Sequence, residues 1–267
     1  MREPSLALSG RESAELPGAK SLSSHQENAI LRALGRNVNP ADRGDLEPEM
    51  ATAFEHRDLR DRLLAIAGAL RKGRVLLPVL PHEVSPEGAC PSGQLPQITL
   101  KGVTHARAVP VFSSLAALNG AVKAGLATAL SPAGSGDQVP RPLPVSARAL
   151  AIAALDAPGR MLLDGTYLLP RPLLNALACA DTWVPSWDNP ELLGAISRLI
   201  TKTLTTAEWE IIPQVAGPDR LLVAVDPTTP GLAPALGELQ TGINALKNLE
   251  AAADLLEVTP VPIAENN

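Results

Sequence analysis

Aromatic side chains are scarce in this chain, with three tryptophans, two phenylalanines and one tyrosine among 267 residues. Base-stacking platforms, ring-lined cofactor pockets and large interfaces anchored on aromatic hot spots are therefore short of material. Histidine is also sparse. None of His25, His56, His82 and His105 stands four residues from another, so no helical zinc pair is signalled. The two cysteines, Cys90 and Cys179, have neither CxxC spacing nor a histidine nearby, which leaves reduced thiols as the expectation and no redox or metal motif. Basic residues fall short as well: 23 Lys and Arg against 28 Asp and Glu give a net charge of −5 and a pI near 5.4. That is the reverse of the positive footprint that phosphate contacts require, and nucleic acid is not an expected partner. Long apolar runs are missing too. The longest, residues 149–155, is far below the ~18–20 residues of a spanning helix, and the first residues lack the greasy core of a secretory signal. Neither membrane insertion nor export is expected, and the location expected is cytoplasmic.

What is present suffices for a packed protein. Apolar residues make up 45% of the chain and charged ones 19%, while proline and glycine together stay below the ~25–30% of low-complexity sequence. The length suits one or two domains. Residues 1–48 mix Arg, Glu, Ser, Gly and Pro around short apolar patches too small to offset the entropy of ordering, and they read as a flexible tail. A tail of this kind could also fold on a partner.

From Asp58, a capping residue, Leu59, Leu63, Ile66 and Leu70 recur at helical spacing until Gly73, and 75–80 follow as a strand near an edge because Pro78 cannot donate to a ladder. The stretch LAIAGALRKGRVLL at 64–77 returns as LAIAALDAPGRMLL at 150–163, either as two related helix–strand units or as two Ala/Leu-rich helices that end alike. Residues 97–101 and 108–112 read as short strands, with Ser113 or Ser114 placed to cap the next helix. Asp164-Gly165 predicts a two-residue type I′ hairpin between 161–163 and 166–169.

Beyond Trp187, Asn189 caps a helix with Leu193, Ile196 and Ile200 on one face. Strands at 208–215 and 220–226 follow, then a helix from Pro234 carrying Leu236, Leu239, Ile243 and Leu246. In the final extended stretch, Pro260 and Pro262 remove N–H groups from one side only. Pairing is expected through Thr259, Val261 and Ile263, with the proline side outermost. The fold class is α+β: two small domains, each a mixed or antiparallel sheet packed with helices, at 49–185 and 186–267.

The order of these pieces resembles a known family. Gly73-Arg-Val-Leu-Leu-Pro-Val, then Val109-Pro-Val-Phe-Ser-Ser-Leu-Ala-Ala-Leu, then Pro144-Val-Ser-Ala-Arg with an Ala-rich helix and Leu162-Leu163-Asp164, is similar to the SseB N-terminal domain family of bacterial proteins. The resemblance covers roughly residues 55–185, and the block after Trp187 looks like the second domain that often accompanies it. Ser113 stands where the family commonly has threonine, and Asp164-Gly165 makes a shorter turn than usual. The resemblance implies a cytoplasmic two-domain α+β protein and carries over no catalytic residue.

Candidate site residues are few. Ser113 and Ser114 follow Phe112 at a strand-to-helix turn without the GxSxG elbow that exposes a nucleophile, so capping, or anion binding at the helix start, is the expected use. Trp183 and Trp187 flank the joint between the blocks, as packing or as a cleft edge, with Arg171 near enough in sequence to answer a carboxylate. Phe112, Ser113, Ser114, Arg171, Trp183 and Trp187 are accordingly the candidate binding residues. The expected function is a non-enzymatic binding or scaffolding protein whose partner is a protein or a small anionic ligand, with no cofactor and no metal. The alternative is an enzyme that assembles His82, Glu83, Ser113 and Ser114 in space.

Overall fold

The computed structural model describes residues 42–80, 95–100, 106–130, 139–204 and 208–263. The chain is α+β, and it enters the fold earlier than its composition suggests. Residues 42–48, read above as tail, are packed: Asp42 forms an ion pair with Arg74 at 2.7 Å, and the buried Gly44 accepts the Leu115 N–H at 2.7 Å. The charges of Asp42, Arg43 and Asp45 look solvated in sequence because Arg74, the partner that draws Asp42 in, comes 32 residues later. Residues 1–41 lie outside the described residues.

Helix α1 (Pro48–Glu55) opens on a proline and buries Met50 and Ala53. Helix α2 (Leu59–Leu70) starts at Asp58, whose Oδ1 accepts the Asp61 N–H at 3.1 Å, and buries Leu63, Ile66 and Leu70 as the spacing predicts. Strand β1 (Arg74–Val79) follows. Strands β2 (Ile98–Thr99) and β3 (Arg107–Val111) lead to helices α3 (Leu115–Lys123) and α4 (Leu126–Leu130), then strand β4 (Arg141–Ser146) and helix α5 (Ala147–Ala154). Strands β5 (Met161–Leu163) and β6 (Tyr167–Leu169) precede helix α6 (Arg171–Cys179).

β1 pairs antiparallel with β4, while the other strands of this half run in the order β2-β3-β5-β6 with β3 and β5 parallel. Leu76 and Phe112 exchange backbone bonds at 2.8 and 3.0 Å and so tie the β1–β4 pair to the end of β3. Val109 and Val111 turn their backbone toward β5, so Ala108, Pro110 and Phe112 face the opposite edge, which β2 and β1 share. Pro110, with no N–H to offer, falls between those two partners. The same logic places Pro142 and Pro144 on the outer side of β4: they stand opposite Pro78 and Leu76, and Leu76 spends its own backbone on Phe112.

In the hairpin, Asp164 and Gly165 have φ of 53° and 68°, and Thr166 N–H bonds to the Leu163 carbonyl at 2.9 Å, as a type I′ turn requires. The ladder resumes one residue later than predicted, at Leu163 opposite Tyr167, so Thr166 belongs to the connection. The two similar stretches both give helix and then strand, but β1 pairs antiparallel with β4 whereas β5 lies parallel to β3.

A 3₁₀ turn (Ser186–Asp188) leads to helix α7 (Pro190–Thr203), capped by Asn189 and buried along Leu192, Ile196 and Ile200. Leu193, expected on that face, sits one position round the helix and is half-buried. Strands β7 (Trp209–Ile212) and β8 (Asp219–Val225), helices α8 (Leu232–Asn244) and α9 (Leu249–Ala252) and strand β9 (Leu256–Pro262) complete a sheet ordered β7-β8-β9, with β9 parallel to β8. Ile263 N–H bonds to the Val225 carbonyl at 3.0 Å, and the proline side of β9 faces outward, as expected. Gln240 of α8 closes that side further. Its Oε1 accepts the Val258 N–H at 2.8 Å and its Nε2 donates to the Leu256 carbonyl at 3.1 Å.

Two separate hydrophobic cores were expected on either side of Trp183 to Trp187. Instead one buried cluster runs from Met50, Ile66, Val111 and Leu163 through both tryptophans to Ile196, Leu221 and Leu239. The reason is that Leu63, Leu169, Leu173 and the two tryptophans offer apolar surface that the second grouping covers. Gly44 gives a direct check on the packed entry segment. It sits at φ 76°, and a Cβ there would lie 3.1 Å from that of Leu115. Gly44→Ala should therefore cost about 1–2 kcal/mol in urea unfolding; a negligible change would return the segment to the tail.

Candidate functional site

The sequence candidates fall at two places. The first lies where the parallel strands β3 and β5 end, the position at which open sheets commonly hold ligands. Phe112 is fully buried against Leu76, Leu118 and Leu126. The serines divide their roles. Ser114 is the N-cap of α3, its Oγ accepting the Ala117 N–H at 3.2 Å. Ser113 instead meets Asp164: its N–H donates to Oδ1 at 2.8 Å and its hydroxyl to Oδ2 at 2.6 Å. Arg74 donates to the Ser113 carbonyl at 2.7 Å and pairs with Asp42, so a polar chain runs Asp42, Arg74, Ser113, Asp164. The Arg74 guanidinium holds the Asp42 carboxyl below its usual range. Burial pushes the Asp164 carboxyl up, against the pull of both Ser113 bonds.

This arrangement positions a turn more than it prepares a reaction. Ser113 is only 4% exposed, its proton is already given to a carboxylate, and two of the first three amides of α3, those of Leu115 and Ala117, are taken by Gly44 and Ser114. The partner that reaches Ser113 is Asp164, which sequence reading treated only as a turn residue. Its second role depends on β3 and β5 being neighbours, and no spacing reveals that. His82 and Glu83 lie outside the described residues. β1 runs antiparallel to the bridged end of β3, so Arg74 is its end near Ser113 and Val79 lies about 17 Å farther along.

The second place is the joint between the two sheet–helix groupings. Trp183 and Trp187 pack edge to face, 5.6 Å apart at 84°, each only 9% exposed. Trp183 also lines a cleft with Leu63, Leu169, Leu173, Gln214, Asp219 and Asp254. The void inside is about 20 Å³, room for a water molecule rather than a substrate. Arg171 does not face it as a free cation. Its guanidinium donates to the Leu155 carbonyl at 3.0 Å, over Gly159, where a Cβ would collide with it.

The groups that matter most here, Asp254, Arg160 and Asp219, were missed in sequence. Asp254 is 4% exposed at φ 68° and accepts two bonds from the Arg160 guanidinium. It also accepts the Arg171 N–H at 3.3 Å, the first amide of α6, whose own N-cap position is Pro170 and has no capping oxygen. Asp254 thus caps a helix of the other grouping. Asp219 accepts the Ser186 hydroxyl at 2.5 Å. Its carboxyl is pushed up to about 6 by burial, against the pull of the Ser186 hydroxyl and the Gln214 backbone N–H, with Asp254 the smallest contribution.

Residues 49–166 match the SseB protein N-terminal domain. This part of the chain is an SseB-type N-terminal domain. The match spans α1 through the Asp164 turn and therefore contains the Asp42 partner Arg74, Ser113 and Asp164, but not the joint residues Asp219 and Asp254. No curated protein and no solved structure matches the chain.

Two substitutions test the joint. Asp254→Ala strands a guanidinium that is 15% exposed and should cost about 3–5 kcal/mol in denaturant unfolding; a loss below about 1 kcal/mol would show the pair to be incidental. For Asp219 the folded pKa lies above the ordinary 3.8, so its ionisation opposes folding, with no penalty below pH 3.8 and the full penalty above about 6. Asp219→Asn should accordingly stabilise the protein at pH 7, by at most about 3 kcal/mol, and the gain should fade by pH 4. A gain independent of pH would refute the assignment.

Proposed function

We propose that this chain is a cytosolic, non-enzymatic binding or scaffolding protein of the SseB family, with a boundary between an N-terminal and a smaller C-terminal domain near residue 185. Its partner is a protein or a small anionic ligand. The observation that carries this reading is the state of the two serines: Ser114 is spent on a helix cap and Ser113 is sealed against Asp164. An acyl-transfer nucleophile needs an exposed oxygen beside a free base, and neither serine has that setting.

The sheet edges narrow the mode of binding. Pro142 and Pro144 on β4, and Pro260, Pro262 and the Gln240 amide on β9, leave these outer edges without the donors that an added strand needs. Contact through helix faces agrees with the exposed apolar side chains of Leu64 on α2 and Ile152 on α5. Among the described residues no helix is long and apolar enough to cross a membrane.

A two-armed experiment tests the proposal. A serine-directed fluorophosphonate probe is expected to leave Ser113 and Ser114 unlabelled, read by peptide mass spectrometry. In parallel, immobilised full-length protein should retain a partner or ligand in fixed stoichiometry and release it chemically unchanged. Labelling of Ser113 that Asp164→Asn abolishes would overturn the reading in favour of an enzyme.

A further inference from the structure

The joint carries a feature that neither the family match nor the binding reading uses. Two carboxylates line one cleft. Asp254, at the α9–β9 turn, holds the only guanidinium directed at either of them among the described residues, that of Arg160. Asp219, the first residue of β8, has two neutral donors, the Ser186 hydroxyl and the Gln214 amide. The other elements that close around Asp219 bring no counter-charge: α2 offers Leu63, the β6–α6 segment Leu168 to Leu173, and the tryptophan segment Trp183. Arg171 is committed to the Leu155 carbonyl, and Arg220, next along β8, is exposed. The cleft thus holds one cation for two acids, in apolar surroundings where a bare charge is costly.

Both acids belong to the sheet–helix grouping after residue 185; the donors to Asp219 are of that grouping too, while the apolar side of the cleft, Leu63, Leu169, Leu173 and Trp183, belongs to the one before it. Asp254 reaches across to Arg160 and to the α6 N-terminus, and the nearby Leu168 N–H crosses to the Val215 carbonyl at 2.8 Å. We propose that this joint is proton-sensitive: a proton on Asp219 lets the two groupings close, and its loss leaves a charge against the apolar surface of the first grouping, which opening the joint relieves. The direction of the Asp219 shift agrees, since burial and Asp254 both favour the neutral form and place the change near pH 6. Opening the joint would return Asp219 to water, where it ionises at its ordinary value.

Amide hydrogen exchange on the full chain tests this, because the Leu168 N–H bridges the joint. After correction for intrinsic exchange, its protection should fall about tenfold between pH 5 and pH 7, the ratio set by carboxyl pKa values of about 6 closed and 3.8 open. The Leu118 amide of α3, bonded to the Ser114 carbonyl, is the internal control and should keep its protection. Asp219→Asn should abolish the dependence at Leu168. Ser186→Ala removes a bond that favours the ionised form, so it should move the midpoint upward, and it decides the matter if Asp219→Asn fails to fold. Leu168 protection that is flat with pH, that falls equally in Asp219→Asn, or that falls together with Leu118 would overturn the proposal.

Discussion

The Arg160–Asp254 pair is the interaction on which the arrangement of this protein depends. A buried ion pair adds little net stability as a rule, because two desolvation penalties offset the attraction. Its value lies in position. Asp254 sits at the turn between α9 and β9, so its carboxylate fixes where β9 starts, and β9 in turn pairs with β8 along seven residues. The same carboxylate supplies the cap that Pro170 cannot give to α6. A helix in one grouping and a strand in the other are therefore set by one side chain, and removing it would leave both without their reference point.

Proline shapes the rest. With 26 prolines, this chain has many positions that cannot donate a backbone bond, and the sheets are arranged so that the missing donors fall where no partner stands. Pro110 lies between the two strands that share an edge of β3, and Pro142, Pro144, Pro260 and Pro262 face outward from edge strands. An alternating Pro-x-Pro pattern in a strand keeps one ladder and forbids the other. The prolines close the edge of β4, and on β9 Gln240 of α8 completes the closure where the prolines end.

This pattern explains which features could be read from sequence. Elements whose cause is local were legible: the Asp58 and Asn189 caps, the α2 face, the positive φ at Asp164 and Gly165, and the outward prolines of β9. Each depends on residues a few positions apart. Features that depend on distant partners were not. Asp42 joins the fold through Arg74, Ser113 finds its acceptor 51 residues away in Asp164, and Asp254 finds Arg160 at a separation of 94. The single buried cluster was hidden for the same reason, since helical and strand periodicity says which face of an element is apolar and not which element it will meet.

The contrast between the two polar sites also bears on function. At the strand ends, the Ser113 N–H, hydroxyl and carbonyl and the Ser114 capping oxygen all find partners within the chain, which is how a turn is held rigid. At the joint, by contrast, Asp219 meets another acid across a small cleft and is pushed up to about 6. A half-buried carboxyl held in an apolar cleft destabilises the folded state near neutral pH, and an asparagine could keep its hydrogen bonds without that penalty. Stability alone therefore does not account for an acid at this position. Proton-dependent control of the joint does, because it needs a group whose burial costs more when charged, placed where two packed bodies meet.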